Sequence, residues 1–255
     1  MRLFSLVFAM IALAATVVGS GPMRAETLVG SNVDSRVIVG MKANADGVQT
    51  FLPDGWSVVP FPGGPLKGAN LLFVMIDSRL EMDPEGKPLT PASRRAVALI
   101  GLGKQVDGDA VRMFVLRLYT TSPDRDPYSN AQRAAIAREY AETGPADGKR
   151  DSSDFWRVIP EAGGKIVVRL DYMTGSRNWV SGETLPYSAA VPDFSRIYRY
   201  DQLVEVVMSQ GMGKPMNGEL KLDISVLELA EALDGTEEVV AVMDVPVYVR
   251  KVYLP

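Results

Sequence analysis

The sequence predicts an α+β domain of mostly antiparallel sheet, a single β-cone or barrel with one helix packed against it. Three observations carry that reading. Strand-length runs rich in Val, Ile, Leu, Tyr and Phe recur along the chain, and Gly, Pro, Asp and Asn clusters separate them. Only one long segment carries strong helix signals. No internal repeat or low-complexity tract divides the chain, so residues 26–255 read as one domain.

The N-terminus has a separate logic. Arg2 precedes the apolar run Leu3–Val18, and the small residues Gly19, Ser20, Gly21 and Ala25 follow. That order is the pattern of a cleavable signal peptide over residues 1–25. It predicts an exported protein, periplasmic or secreted. No Cys is present to carry a lipid. No later apolar run approaches the ~20 residues of a membrane-spanning helix, so no integral span is expected after cleavage.

Strands are expected at Ser35–Lys42, Trp56–Pro60, Asn70–Arg79, Ser93–Lys104, Ala110–Thr121, Phe155–Ile159, Lys165–Met173, Ser195–Tyr200, Leu203–Ser209, Gly218–Leu229 and Glu238–Val252. The last two form a candidate hairpin through Asp234-Gly235. A rival reading makes Val226–Leu233 a helix, because Glu228, Leu229, Ala230, Glu231 and Ala232 favour one. The principal helix is expected at Asn130–Glu142: Ser129 and Gln132 have capping-box spacing, and Gly144-Pro145 would end it. A short second helix is expected at Ala45–Leu52, stopped by Pro53-Asp54-Gly55.

Composition restricts the chemistry. The chain has no Cys and no His. This removes disulfides, thiolate nucleophiles, imidazole bases and His- or Cys-ligated metals. Of 27 basic and 31 acidic residues, Arg2 and Arg24 fall within residues 1–25, so the rest of the chain carries a net charge of −6. That balance, without any basic run, argues against a nucleic-acid partner. Gly63-Gly64, Gly163-Gly164 and Gly211-Met212-Gly213 lack the strand-and-helix context of a phosphate cradle and read as connectors. The sequence calls for no cofactor and no metal.

Charged residues within apolar strands are the candidates for a site. Asp77 shares a strand face with Leu71, Phe73 and Met75. Arg117 is expected to share one with Val111, Met113, Val115 and Tyr119. Lys165, Arg169 and Asp171 alternate with Ile166, Val168, Leu170 and Tyr172; the latter face is the more apolar and the better core, which turns the charged face to solvent. If the strands enclose a cavity, Asp77, Arg117, Tyr119 and Arg169 are the candidate ligand-binding residues, with arginine suited to a small carboxylate. The alternative for Asp77 and Arg117 is an ordinary ion pair at a sheet edge. A solvated face is the default for Glu228, Glu231, Glu237 and Glu238, and core packing for Trp156 and Trp179.

Residues Ser35–Ser78 run strand, short helix, Leu52-Pro53-Asp54-Gly55-Trp56, then Gly68-Ala69-Asn70 and an apolar strand ending in Asp77. This resembles the N-terminal half of the acetoacetate decarboxylase-like family. Phe114–Tyr119 followed by the predicted helix at Asn130–Glu142 keeps the family's order. The resemblance implies a cone of mostly antiparallel strands around a pocket, and a lysine Schiff base whose amine is kept neutral by burial and a neighbouring cation. The family's Pro-Lys-Lys motif is missing; the corresponding stretch reads Gly144-Pro145-Ala146-Asp147-Gly148-Lys149-Arg150. Lys149, beside Arg150, and Lys165 are the candidate catalytic lysines. The expectation is an exported binding protein for a small acidic or apolar molecule, without Schiff-base chemistry. A lysine-dependent decarboxylase and a structural envelope protein with a filled core remain the alternatives.

Overall fold

Alternating strands must bury the apolar face that their period of two creates, and the central strands here bury both faces. A computed structural model describes residues 26–255. The expected signal peptide, residues 1–25, lies outside the described residues. The strands are β1 (Thr27–Lys42), β2 (Trp56–Val59), β3 (Leu71–Met82), β4 (Arg94–Gln105), β5 (Val111–Thr120), β6 (Ala131–Thr143), β7 (Asp151–Pro160), β8 (Ile166–Met173), β9 (Asn178–Thr184), β10 (Pro186–Ser188), β11 (Ile197–Ser209), β12 (Gly218–Ile224) and β13 (Glu238–Leu254). The one α-helix among the described residues is α1 (Ala45–Gln49), capped by the Asn44 side chain. No helix among them is long and apolar enough to cross a membrane.

The strand order is β12-β8-β7-β6-β5-β4-β3-β1-β13-β11-β9, with β2 on β4 and β10 on β5. It has two limbs. The small limb, β12-β8-β7-β6, joins the large limb only through a short parallel pairing of Ala131–Arg133 with Leu118–Thr120. The large limb rolls into a cone. Its staple is β10, which pairs with β5 and bridges through Tyr187 to Ser195, just before β11.

The limbs are cemented by one core: Val37, Val39, Phe73, Met75 and Leu99 of the cone meet Trp156, Val158, Ile166, Val168 and Leu170 of the small limb. The other face of the same cone strands lines its interior with Leu72, Val74, Ala96, Ala98, Leu118 and Val240, continuing to Val204, Met243 and Val245. Ile38 and Leu66 touch both of these interior clusters.

Three expectations fail. Asn130–Glu142 is not a helix but strand β6, paired antiparallel with β7 from Ala134 to Thr143. Its period is two: Ile136, Arg138, Tyr140 and Glu142 face the core side, while Ala135, Ala137, Glu139 and Ala141 are exposed. Tertiary pairing overrides the helix propensity of alanine. Ser129 has φ 57°, so it does not cap a helix; the Asp126 carboxylate instead accepts from the Asn130 and Ala131 amides. Gly144-Pro145 lies in the β6–β7 connection. The expected C-terminal hairpin also fails, because β12 pairs with β8 while β13 runs between β1 and β11. Between them, residues 225–237 form no hairpin turn but a plug with a single 3-10 turn, Leu227–Leu229, burying Val226, Leu229 and Ala232. Finally, the Arg117 face is wrong. A β-bulge at Leu116 (Leu99 pairs with Arg117, Ile100 with Val115) reverses the parity of β5. Arg117 and Tyr119 therefore face the inter-limb core, whereas Met113 faces the cone interior.

The plug fixes α1 closely. A Cβ on Gly47 would lie 2.2 Å from the Glu231 carbonyl carbon and 2.3 Å from the Ala232 nitrogen. No rotamer change relieves a clash with backbone. Gly47→Ala is expected to lower stability by about 1–3 kcal/mol, the range for overpacking. Urea denaturation reads this, and an unchanged midpoint would contradict the docking of the plug on α1.

Candidate functional site

Strand register builds a polar row across the cone interior, just beyond its apolar part. Asp34 of β1 pairs with Ser78 of β3 and Tyr248 of β13; Asn32 pairs with Glu81 and Arg250; Ser78 pairs with Arg94 of β4; Arg250 pairs with Tyr200 of β11. Period-two alternation sends all of these side chains to one face. The Ser78 hydroxyl donates to Asp34 at 2.6 Å, and Arg36 donates to the same carboxylate at 2.6 Å. Glu81 takes Arg94 at 2.6 Å and Arg125 at 3.2 Å. The Arg36 guanidinium lies 3.5 Å over the Tyr248 ring, which stacks on Tyr200 at 5.1 Å. Arg250 lies 4.0 Å over Tyr198, and its Nε donates to the Asn32 side-chain oxygen Oδ1 at 2.8 Å. The Tyr198 and Tyr128 hydroxyls are hydrogen-bonded to each other. Tyr128 meets Phe194 edge-on, and Arg196 sits over Phe194.

The row is cation-rich. Arg36 pairs with Asp34, and Arg94 and Arg125 with Glu81, while Arg196 and Arg250 form no ion pair among the described residues. Burial works against the Asp34 charge, but Arg36, Arg250 and the Ser78 hydroxyl hold its carboxyl below the usual range. Burial and Tyr198 push the Tyr128 phenol well up, so it stays neutral. Three buried polar atoms here have no protein partner: Asn32 Nδ2, Arg94 Nη1 and Arg196 Nε. All three are donors. The Asn32 orientation is fixed by Arg250, which needs its oxygen. A surplus of buried donors is complementary to an acceptor-rich anion.

The residues singled out from the sequence lie elsewhere. Asp77 is on the inter-limb side, bonded to Arg95 at 2.9 Å and Arg138 at 3.1 Å. Arg138 forms a two-pronged pair with Asp154 and also reaches the Ser35 hydroxyl. Burial opposes its charge, and Asp154 and Asp77 overcome that. Arg117 and Tyr119 converge on Glu228 of the plug, at 2.8 Å and 2.5 Å. Glu228 is thus a clamp and not a solvated side chain. Lys165 pairs with Asp223 and Arg169 with Asp171 on the exposed face, as expected from the apolarity of the opposite face. Lys149 is in the exposed β6–β7 connection. Asp77, Arg117 and Tyr119 share one core, but Lys149, Lys165 and Arg169 do not join them. Trp156 is fully buried, whereas Trp179 is exposed. Two open concavities, of about 400 and 330 Å³, lie on the outer face of β6–β8, with Ala141 and Ser153 lining both. They are shallow surface features remote from the arginine row.

A second buried polar group lies between the limbs. The Tyr172 hydroxyl of β8 donates to Asp244 of β13 at 2.7 Å. Arg177 contacts Glu142 at 2.5 Å, Asp244 at 3.6 Å and Glu205 at 3.7 Å. Burial pushes the Asp244 carboxyl up to about 6, against the pull of Tyr172 and Arg177. Because the folded state holds this proton more tightly than the unfolded chain, its stabilising contribution is complete below about pH 4 and is lost as the pH rises through about 6. The loss amounts to about 3 kcal/mol. In Asp244→Asn this part of the pH dependence is expected to vanish, as read from denaturation midpoints between pH 4 and 7; parallel wild-type and variant profiles would refute the assignment.

No protein-family model matches the sequence, and neither does any curated protein. Solved structures do match the fold. The chain is similar to an acetoacetate decarboxylase-like enzyme from Sphingomonas wittichii RW1, with TM-score 0.54, 15% identity, and 96% of this chain and 97% of that one covered. It is similar to the enduracididine biosynthesis enzyme MppR complexed with pyruvate, with TM-score 0.51, 11% identity and coverage of 92% and 91%. It is likewise similar to MppR complexed with the condensation product of pyruvate and imidazole 4-carboxaldehyde, with TM-score 0.52, 10% identity and coverage of 89% and 87%. The chain has an acetoacetate decarboxylase-like fold.

Proposed function

We propose that the protein is exported and binds a small organic anion at the arginine row of the cone, without Schiff-base catalysis. The observation that carries this reading is the set of unpartnered buried donors, Asn32 Nδ2, Arg94 Nη1 and Arg196 Nε, beside Arg250. The lysines support its second half. No lysine among the described residues is buried; the interior cations are arginines. A Schiff base needs a neutral primary amine, and a guanidinium stays protonated. The similar fold of MppR is complexed with pyruvate, a small carboxylate.

Titration calorimetry with pyruvate and acetoacetate tests binding. Arg250→Gln is expected to weaken it about ten- to a hundredfold, the worth of a charged hydrogen bond. Borohydride reduction in their presence is expected to leave every lysine unmodified; a lysine adduct overturns the non-catalytic reading. Absence of any anion binding supports a second reading, a structural protein with a filled core. That reading is favoured by the packed apolar cone interior and by concavities confined to the outer surface.

Export rests on Arg2, the apolar run Leu3–Val18 and the small residues that follow. N-terminal sequencing of the protein from its native host is expected to begin at Glu26. A chain that retains Met1 in the cytoplasm would contradict it.

A further inference from the structure

The arginine row has two cationic ends. Arg94, Arg36 and Arg125 are paired with Glu81 or Asp34. Arg250 and Arg196 form no ion pair with a carboxylate among the described residues. They are linked through one hydroxyl pair: Arg250 packs over Tyr198, Tyr198 bonds Tyr128, Tyr128 packs on Phe194, and Arg196 sits over Phe194. Both Arg196 and Arg250 act electrostatically on Tyr128. The hydroxyl pair adds a donor of its own. One phenol donates to the other, and the second proton has no protein acceptor among the described residues.

Arg250, the hydroxyl pair and Arg196 thus form one connected group whose free polar hydrogens are all donors. Asn32 Nδ2 and Arg94 Nη1 extend it at the Arg250 end, and Arg196 Nε at the other. The carboxylates that strand register places in this row, Asp34 and Glu81, are already engaged by Arg36, Arg94 and Arg125. Arg250 feels Asp34 only from beyond ion-pair distance, and Asp34 is already engaged by Arg36; two guanidinia without a direct carboxylate partner in a partly buried site are costly to hold together. A single acidic group can answer one of them; two acidic groups on one molecule answer both.

We infer that the ligand is a small dicarboxylic acid, with one carboxylate at Arg250 and the other at Arg196, its middle lying against the Tyr128–Tyr198 hydroxyl pair. This rests on the anion-binding reading above and sharpens it from one charge to two. Tyr128, held neutral, serves as a donor to the middle of the ligand and not as a base.

The test is calorimetry on the purified protein at neutral pH. Malonate, succinate and glutarate are compared with acetate, propionate and butyrate. At least one dicarboxylate is expected to bind about tenfold or more tightly than every monocarboxylate, as one further charged contact implies. Arg196→Gln is expected to weaken that dicarboxylate about tenfold more than it weakens the monocarboxylates, so that the preference is lost. Arg250→Gln is expected to weaken both classes, and circular dichroism checks that each variant is folded. Should Arg250→Gln fail to fold, Arg196→Gln in its half-buried position carries the test. Equal affinities for the two classes would overturn the dicarboxylate while sparing the anion site. A dicarboxylate preference that survives Arg196→Gln would overturn the two-ended assignment. No binding by any of the six acids would overturn the anion site itself.

Discussion

Both faces of β1 are buried, and the rest of the molecule is arranged around that constraint. Pairing with β3 on one side and β13 on the other leaves this strand no free edge over most of its length. Its alternate residues therefore serve two interiors. Ser35, Val37, Val39 and Met41 face the small limb; Asn32, Asp34, Arg36 and Ile38 face the cone. A strand with one solvated face can carry its charges there at little cost. Here every polar side chain of the central strand must find a partner indoors, because a buried unpaired group is expensive. Asp34 finds Arg36 and Ser78, and Ser35 finds Arg138. The two polar clusters on the cone's two sides are the places where this requirement is met.

The same constraint explains what was legible in the sequence. Most strands were, since a run such as Leu71–Ile76 has the length and composition of a strand in any context. The solvent face of β8 was legible too, because Ile166, Val168, Leu170 and Tyr172 contrast sharply with Lys165, Arg169 and Asp171. What escaped was information carried by neighbours. The stretch from Ala131 to Thr143 has the composition of a helix; only pairing with β7 makes it a strand, and its inward Arg138 and Glu142 read as helix-surface charges until their partners are known. A single extra residue at Leu116 moved Arg117 and Tyr119 to the opposite face, and no local signal announces a bulge of that kind.

The site escaped for a related reason. Asn32, Arg36, Arg94, Arg196 and Arg250 are scattered over most of the chain, and Arg94, Arg196 and Arg250 sit at or near strand ends, where charge is ordinarily solvated. Register alone brings them into a row. The clue present in the sequence was a parity: Asn32, Asp34 and Arg36 alternate within one strand and interrupt an apolar face at a fixed step of two. The family resemblance points to lysines, here Lys149 and Lys165, whereas the row is built of arginines. The fold carries over from that resemblance, whereas the Pro-Lys-Lys motif is missing from the corresponding stretch, so the scaffold by itself does not fix the chemistry.

The choice of arginine over lysine inside the cone has a consequence for how the two halves of the molecule sense acidity. Guanidinium groups keep their charge throughout the range in which proteins work, so the field in the cone is constant. On the anion-binding reading proposed above, capture of an already ionised guest would move no proton, and the grip would respond to ionic strength far more than to pH. Between the limbs the reverse holds, since Asp244 gains and loses its proton close to neutrality. The molecule thus separates an arginine row indifferent to hydrogen ions from a seam that registers them, although the two lie on opposite faces of the same sheet.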